Sequence, residues 1–311
     1  MIYIKSLFLL FLFLNGCNKK QEIKPLTSFD NLKNPEMTLK VGLDSLLVGE
    51  VLSMDVNVDN LFLLTKKPER IYKYNLDSFS LDTIYNQVGK GPGELSDPKL
   101  IAASDNNIFV VDVSKMSIDI FSTSLDFIQT IPLNGIPNSI DVIDREYLAV
   151  SFIEIGQSRI ELYDTQLIKT LIIKAASNKP IETIGKLKFI DEESIYFSRR
   201  YINESFRIEI VSGITSKNTN PYLLDKSTTY YFMGEEIPEF NLVGDLAANR
   251  TKIFTLAGIS SKDGQPLFVQ NKDLEIKAIY ILGPPLSLIA ANEDAIYGYS
   301  YTNYSIYFVE L

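Results

Sequence analysis

The residue types and spacing that come nearest to known chemistry lie in VGKGPGEL, residues 88–95. Its glycines surround Lys90, as in loops that bind phosphate through backbone N–H groups. Such a loop requires Gly-Lys followed by Ser or Thr at the start of a helix. Here Gly89-Lys90 is followed by Gly91-Pro92, and strand-forming residues come next. The stretch therefore predicts a sharp change of chain direction and no nucleotide site.

Other catalytic groups are scarce. The chain contains no histidine and one cysteine, Cys17. Without histidine it has no Ser-His-Asp triad and no imidazole metal ligand. Any bound metal would be a hard cation held by oxygen atoms. Calcium would suit the remaining side chains, but no spacing of these residues indicates a calcium site. We therefore expect no cofactor.

The candidate ligand-binding residues form two groups. One is an aromatic and acidic cluster that would suit a sugar or a peptide, unless TTYYF at 228–232 is the fourth strand of its blade with its rings in the core. The other is a pair of arginines that can fork onto carboxylates, or that merely ends a solvated strand. The residues are Tyr230, Tyr231, Glu235, Glu236, Arg199 and Arg200.

A repeat organises most of the chain. A strand, a turn rich in Asp or Asn, and a second strand with paired large apolar residues recur about every 47 residues. The turns centre on Asp59, Asp105, Asp144, Asp191, Asn249 and Asn292. Short polar side chains bond their own turns, so these residues are predicted to serve turn chemistry and not a ring of catalytic carboxylates.

Further strands follow each repeat, which predicts four antiparallel strands per unit and a six-bladed β-propeller. VGKGPGEL is then the crossing from the outer strand of one blade to the inner strand of the next. Pro98, Pro137 and Pro285 are predicted to start inner strands. Asp55 and Asp141 fall within inner strands, where their side chains can face the central channel.

The last blade lacks a fourth strand at the C-terminus. The unassigned strand-like segment is MTLKVGLDSL, residues 37–46. Since a three-stranded blade would expose an unpaired edge, we predict that Thr38 to Val41 pairs antiparallel with Ser305 to Glu310 and completes the sixth blade.

The N-terminus has the pattern of an export signal. One early lysine precedes an apolar run from Leu7 to Leu14 that is too short to span a bilayer. The ending Leu-Asn-Gly-Cys resembles the bacterial lipobox, which implies cleavage before Cys17 and lipidation of its sulfur. We expect a signal peptide at 1–16, a lipidated tether at 17–36 and a propeller domain at 37–311.

The lipobox, the crossing motif and the repeats together resemble six-bladed β-propeller lipoproteins of the TolB-like/NHL-like type from Gram-negative bacteria. In that family a G-x-G-P-G-E motif follows the first blade. The matching residues are Gly89, Gly91, Pro92, Gly93 and Glu94. The motif is structural and implies no ligand or activity.

These features predict a non-catalytic binding or scaffold module for a glycan, a peptide or a protein partner. The alternative is an enzyme, a calcium-assisted hydrolase or a polysaccharide lyase that uses Asp, Glu, Tyr or Arg at the channel mouth. A net charge of −9 argues against nucleic acid. If Cys17 is lipidated, we expect the protein in the cell envelope, anchored to the outer membrane. The sequence does not decide between the periplasmic face and the surface face.

Overall fold

The protein is described by a computed structural model. The described residues are 32–43, 48–143, 147–154, 157–163, 168–174, 184–200, 204–218, 229–232, 235–238, 243–258 and 264–310. Cys17 and most of the tether lie outside them. Within the described part of the chain, no helix is long and apolar enough to cross a membrane.

Six four-stranded antiparallel sheets contain most of the described residues. Blades one to three are β3 (Glu50–Val56), β4 (Asn60–Lys66), β5 (Arg70–Asn75) and β6 (Leu81–Tyr85); β7 (Pro98–Ala103), β8 (Asn107–Asp112), β9 (Ser117–Ser122) and β10 (Phe127–Pro132); and β11 (Pro137–Ile143), β12 (Tyr147–Ile153), β13 (Gln157–Tyr163) and β14 (Ile168–Lys174).

Blade four contains β15 (Gly185–Asp191), β16 (Ser194–Arg199), β17 (Ser205–Glu209) and β18 (Thr215–Asn218). Blade five contains β21 (Val243–Ala248), β22 (Lys252–Ala257), β23 (Gln265–Asn271) and β24 (Ile276–Leu282), and the two-residue β1 (Leu32–Lys33) adds in parallel to β24. Blade six contains β25 (Leu288–Ala291), β26 (Ile296–Ser300), β27 (Ser305–Glu310) and β2 (Glu36–Gly42).

The inner strands contact one another in the order β3, β7, β11, β15, β21 and β25, and β25 contacts β3. This cyclic order is a closed ring of six blades, as predicted. Apolar side chains of neighbouring blades pack into six core clusters, one at each joint. The joint between blades four and five has the smallest cluster among the described residues and also holds a polar contact, Tyr196 Oη to Gln270 Oε1 at 3.3 Å.

The N-terminal strand closes the ring. β2 pairs antiparallel with β27, with Met37 opposite Val309, Thr38 opposite Phe308 and Val41 opposite Ile306. Met37 packs in the cluster between blades five and six, and Val41 packs in the cluster between blades six and one. The predicted closure by the N-terminal strand is confirmed. A bulge between Leu39 and Val41 lets Met37 and Val41 pack in different joints.

The alternation of strand directions defines two ends of the ring. Every inner strand runs toward the hairpin that joins it to its second strand, and we call this the turn end. Every outer strand runs back to the opposite end, where the chain crosses to the next blade, and we call this the crossing end. The hairpins between second and third strands also lie at the crossing end.

The turns after the inner strands are built as predicted, with a side-chain oxygen that accepts backbone N–H groups two or three residues ahead. Asn57 and Ser104 do this in blades one and two, so the predicted centres Asp59 and Asp105 were two residues and one residue too late. Asp144 lies outside the described residues. The accepting residues are Asn57, Ser104, Asp191, Asn249 and Asn292.

VGKGPGEL forms the crossing between β6 and β7, and its polar groups bind one another. Glu94 Oε2 accepts the Gly91 N–H at 2.7 Å, and Gly89 N and Leu95 N donate to the carbonyls of Leu95 and Gln87. The N–H groups of Ser96 and Asp97 donate to the buried carboxylate of Asp112. These N–H groups are therefore not available to a phosphate.

Glycine is needed at two positions of this crossing. A side chain at Gly93 would meet the ring of Phe127, and one at Gly89 would meet the Glu94 carboxylate; both glycines have positive φ. Pro98 and Pro137 are the first residues of inner strands as predicted, whereas Pro285 lies three residues before β25.

The segment after blade four contains an additional hairpin, β19 (Thr229–Phe232) with β20 (Glu235–Pro238). It is a separate two-stranded sheet, and the fourth strand of blade four is β18. TTYYF is therefore not the fourth strand of its blade. Since the segment joins an outer strand to the next inner strand, it leaves and rejoins the ring at the crossing end.

Candidate functional site

Two sets of six residues line the inner strands at two levels. In every blade, the member of the first set pairs with the equivalent residue of the neighbouring second strand. Examples are Asp55 opposite Phe62 in blade one and Lys188 opposite Tyr196 in blade four. We call the first set the closed rung; it comprises Asp55, Ala102, Asp141, Lys188, Ala247 and Ala290. The second set lies two residues nearer the crossing end, on the same face of each strand.

We call this second set the open rung. It comprises Ser53, Leu100, Ser139, Lys186, Asp245 and Leu288. Both rungs carry side chains that reach the next inner strand around the ring. Asp55 accepts the Ala103 N–H at 2.9 Å, and Ser53 accepts the Ile101 N–H at 3.2 Å. Both rungs therefore line the central channel.

An ion cluster crosses the channel at the closed rung. The Lys188 ammonium lies 2.7 Å from Asp141 Oδ1 and 3.5 Å from Asp55 Oδ1. Lys188 is on blade four, Asp141 on blade three and Asp55 on blade one, which is opposite blade four in a ring of six. Asp141 Oδ2 also accepts the Phe189 N–H at 2.7 Å.

Burial shifts the ionisation of this cluster. Burial raises the pKa of Asp141 to about 6; the Lys188 ammonium opposes this rise and the nearby Asp55 adds to it. Burial alone would lower the pKa of Lys188, but Asp141 and Asp55 outweigh it and raise that pKa above its ordinary value. One lysine shared by two carboxylates accounts for both directions.

The turn end of the channel is bound together by asparagine side chains. Asn249 Nδ2 donates to the Asn292 carbonyl at 3.4 Å, and Asn292 Nδ2 donates to the Asn57 carbonyl at 3.5 Å. Asn57 Nδ2 in turn donates to the Ser104 carbonyl at 3.1 Å. This belt joins blades five, six, one and two. The polar groups of the belt bind one another, and so do the charged groups of the ion cluster at the level above.

The open rung differs in its charge pairing. Lys186 and Asp245 form an ion pair at 3.0 Å between blades four and five. Asp245 Oδ2 accepts the Ile289 N–H, and Ser139 Oγ accepts the Leu187 N–H. The serine hydroxyls of the rung accept these bonds and keep their own O–H donors.

Solvent contact differs between the two rungs in degree. Five of the six closed-rung residues are buried at 6% exposure or less, and Lys188 is half-buried. In the open rung Ser53, Leu100, Lys186 and Leu288 are half-buried, whereas Ser139 and Asp245 are buried. Water therefore reaches the open rung, and we call this opening at the crossing end the mouth.

The two predicted arginines lie at the crossing end but differ in environment. Arg199 is buried at 1% exposure, forms an ion pair with Glu204 at 2.6 Å and lies over the ring of Phe206. Arg200 is exposed. Its N–H donates to the Ile184 carbonyl, and its own carbonyl accepts from Val243 N, which places it between the starts of β15 and β21. The pair therefore does not present two guanidinium groups on one surface.

The predicted aromatic and acidic residues lie on the additional hairpin. Its backbone pairs Tyr230 with Ile237, Tyr231 with Glu236 and Phe232 with Glu235. Their side chains lie outside the described part of the structure, so the role of Tyr230, Tyr231, Glu235 and Glu236 stays a prediction. Cys17 also lies outside the described residues.

Sequence reasoning identified Asp55 and Asp141 as channel candidates but missed Lys186, Lys188 and Asp245. The available signal was Lys-x-Lys at 186–188, two charged residues on one face of an inner strand. Within the described residues, no group of three or more His, Cys, Asp or Glu side chains is arranged to hold a metal ion.

No family model matches the chain, and the search of curated proteins gave no match. Solved structures do match. The WD40 repeats of RRP9 align with 90% of this chain and 99% of their own, at 11% identity and a TM-score of 0.59. Virginiamycin B lyase from Staphylococcus aureus aligns over 89% of this chain and 100% of its own, at 13% identity and a TM-score of 0.57.

A third match is a protein from Bacteroides fragilis classed as exported. It aligns over 90% of this chain and 98% of its own, at 12% identity and a TM-score of 0.56. Identities this low carry information about fold and none about activity. The chain is a six-bladed β-propeller.

Proposed function

We propose that the protein is a lipid-anchored propeller of the cell envelope that acts as a non-catalytic binding or scaffold module, with its ligand at the mouth. In this proposal it is a Gram-negative lipoprotein of the TolB-like/NHL-like type, held at the outer membrane through Cys17. The partner is a glycan, a peptide or a protein. No nucleic acid partner is proposed, because the chain carries a net charge of −9.

The observation that carries the proposal is the contrast between the two rungs. Lys188 satisfies Asp55 and Asp141 inside the channel, so these carboxylates already have a cation. Four of the six open-rung residues are half-buried, and the rung keeps unused donors and acceptors. Loops and inserted segments on a rigid scaffold commonly bind ligands, and here the additional hairpin leaves the ring at the same end as the mouth.

The alternative, a calcium-assisted hydrolase or lyase, is weaker on the same observation. A hard cation in the channel would have to displace the Lys188 ammonium from two carboxylates. Similarity to a lyase of 13% identity supports the fold and adds no catalytic residue. Calcium-dependent turnover of a polysaccharide, abolished in Asp55→Asn and Asp141→Asn variants, would favour the enzyme over the binding module.

The anchor is tested by replacing Cys17. Cells that express the wild type and Cys17→Ala are fed a labelled fatty acid and fractionated. We expect label in the wild type alone, and loss of Cys17→Ala from the membrane pellet. An unlabelled wild type, with both proteins pelleting alike, would contradict the lipid anchor.

Binding is tested on arrays of glycans and peptides with the full chain in detergent. We expect at least one ligand class to bind, in competition with the same ligand free in solution. Absence of binding to every class would contradict the binding module. The predicted contribution of the hairpin is tested with the triple variant Tyr230→Ala, Tyr231→Ala, Glu235→Ala, in which unchanged affinity would remove the hairpin from the site.

A further inference from the structure

The open rung offers hydrogen-bond donors and acceptors side by side. Lys186 has three N–H donors, and its one charged partner among the described residues is Asp245. Asp245 has lone pairs beyond those bound by Lys186 and Ile289 N. Ser53 and Ser139 use their oxygens as acceptors and retain O–H donors. A ligand hydroxyl, which both donates and accepts, fits this arrangement.

The charge of the rung selects against ionised ligands. Lys186 and Asp245 neutralise each other at the level that solvent reaches. The excess negative charge belongs to the closed rung below, where Asp55 and Asp141 share Lys188. An acidic ligand would approach that excess charge in a partly desolvated channel, which is costly. A cationic ligand would compete with Lys186 for Asp245. A neutral polar ligand meets neither cost.

Apolar surface lies beside these polar groups. Leu100 and Leu288, on blades two and six of the same rung, pack with one side against the core clusters between blades and stay half-buried. Tyr301 is 48% exposed at the crossing end, next to Tyr304 with ring centroids 5.5 Å apart. Its N–H donates to Ser287 Oγ at 3.3 Å, which places it beside the chain that enters β25. Apolar walls with a few polar groups are typical of small-ligand sites.

We infer that the ligand of the mouth is a neutral saccharide, whose hydroxyl groups bind Lys186, Asp245 and the two serines while its C–H surface contacts Leu100 and Leu288. The inference rests on the proposed function and narrows it to one ligand class. A sugar ring combines an apolar face with a rim of hydroxyl groups, and the open rung presents the complement of both.

The test compares three ligand classes on the full chain in detergent: immobilised neutral oligosaccharides of glucose, galactose, mannose and N-acetylglucosamine, their uronic-acid counterparts, and a peptide library. We expect binding to neutral oligosaccharides. Binding to peptides or to uronic acids alone would overturn the saccharide inference and leave the binding module standing. Binding to none of the three would overturn both.

Variants then locate the site. Lys186→Met and Asp245→Asn should each weaken the captured oligosaccharide by about tenfold, as expected for loss of a hydrogen bond to a charged group. The matched controls Lys277→Met and Glu275→Gln remove one partner of an exposed Lys–Glu pair on the outer strand of blade five and should leave affinity within about twofold.

The double variant Lys186→Met/Asp245→Asn guards against an effect of misfolding, because it removes one charge of each sign. It should melt close to the wild-type temperature and still fail to bind. Oligosaccharide affinity equal to wild type in this folded double variant would overturn the assignment of the site to the open rung.

Discussion

The two ends of the channel use similar residue types for different purposes. At the turn end, the side chains of the asparagine belt bond to neighbouring blades, and Lys188 pairs with carboxylates of two other blades. At the crossing end, Lys186 keeps partial contact with solvent, its partner Asp245 is buried, and the pair has hydrogen-bonding capacity left over. A lysine and an aspartate thus form a structural plug at one level and a partly accessible pair two residues away.

This difference separates stability from binding along one axis. A buried pair is destabilising when one partner is removed, because the remaining charge has no water to solvate it. A pair in contact with water contributes much less to stability. The closed end should therefore tolerate substitution poorly, and the open end, where Lys186 keeps partial contact with water, should tolerate it better.

The largest expected loss of stability comes from opening the ring. Both ends of the channel depend on the closed ring, because Lys188 of blade four reaches across it to Asp55 of blade one. Deletion of residues 18–42 removes β2 and leaves the edge of β27 unpaired. Several ladder hydrogen bonds, each net about 1 kcal/mol, and the burial of Met37 and Val41 are lost. We expect the melting temperature to fall by about 10 °C or more, or soluble protein to be lost.

Deletion of residues 18–34 is the matched control for this prediction. It removes the tether and the two-residue β1 and keeps β2, so the melting temperature should change little. Equal melting temperatures for the two deletions would mean that β2 does not close the ring.

The next effect distinguishes the two lysines. Lys188→Met leaves Asp55 and Asp141 buried without a cation, and we expect it to lower the free energy of unfolding by about 3 kcal/mol. Lys186→Met leaves one buried carboxylate, Asp245, in place of two and should cost less, about 2 kcal/mol. Urea denaturation measures both values. A larger loss for Lys186→Met than for Lys188→Met would reverse the assignment of the closed and open ends.

A further effect is a pH dependence of the closed end, of which only part develops between pH 4.5 and pH 7. The pKa of Asp141 in the folded protein, about 6, lies above its ordinary value of 3.8, so the folded state holds this proton more tightly than the unfolded chain does. Its contribution to stability is therefore complete below about pH 4 and is lost as the pH rises through 6.

The shift corresponds to at most about 3 kcal/mol, since one pKa unit is about 1.4 kcal/mol. Urea denaturation of the wild type and Asp141→Asn at pH 4.5 and at pH 7 measures the contribution of the Asp55–Asp141 cluster, because carboxyls outside this cluster titrate alike in both proteins. We expect the advantage of the wild type over the variant to shrink toward pH 7. An advantage that grows with pH would contradict a raised pKa at Asp141.

The architecture could be predicted from the sequence because it depends on local patterns. The strand, turn and strand repeat fixed the blade count. The missing fourth strand of the last blade identified residues 38–41 as its complement, since an unpaired edge is unfavourable. The crossing at 88–95 followed from its glycines and proline. The predicted turn centres in blades one and two were one or two residues too late, because Asp59 and Asp105 are short polar residues like the observed acceptors Asn57 and Ser104.

The site was less accessible to sequence reasoning. Asp55 and Lys188 are separated by 133 positions, and only the curvature of the ring brings their side chains together across the channel. Arg199 looked like half of a binding pair, but packing against Glu204 and Phe206 buries it. TTYYF was an alternative for the fourth strand of blade four, because the observed strand Thr215–Asn218 is short and polar and gives a weaker strand pattern.

The most direct test of the account is whether solvent stops between the two rungs. In a Cys17→Ala background the chain has no thiol, so single cysteines report their own surroundings. Leu288→Cys lies on the open rung and Ala290→Cys on the closed rung, two residues apart on one face of β25; Leu100→Cys and Ala102→Cys repeat the comparison on β7.

The measurement is the rate at which a small maleimide modifies each thiol in the native protein. We predict fast modification at 288 and 100, and rates at least about 100-fold slower at 290 and 102, where reaction requires local opening of the structure. Equal rates within each pair, in variants that melt like their background, would mean that the channel is open throughout and would contradict the division into a closed and an open end.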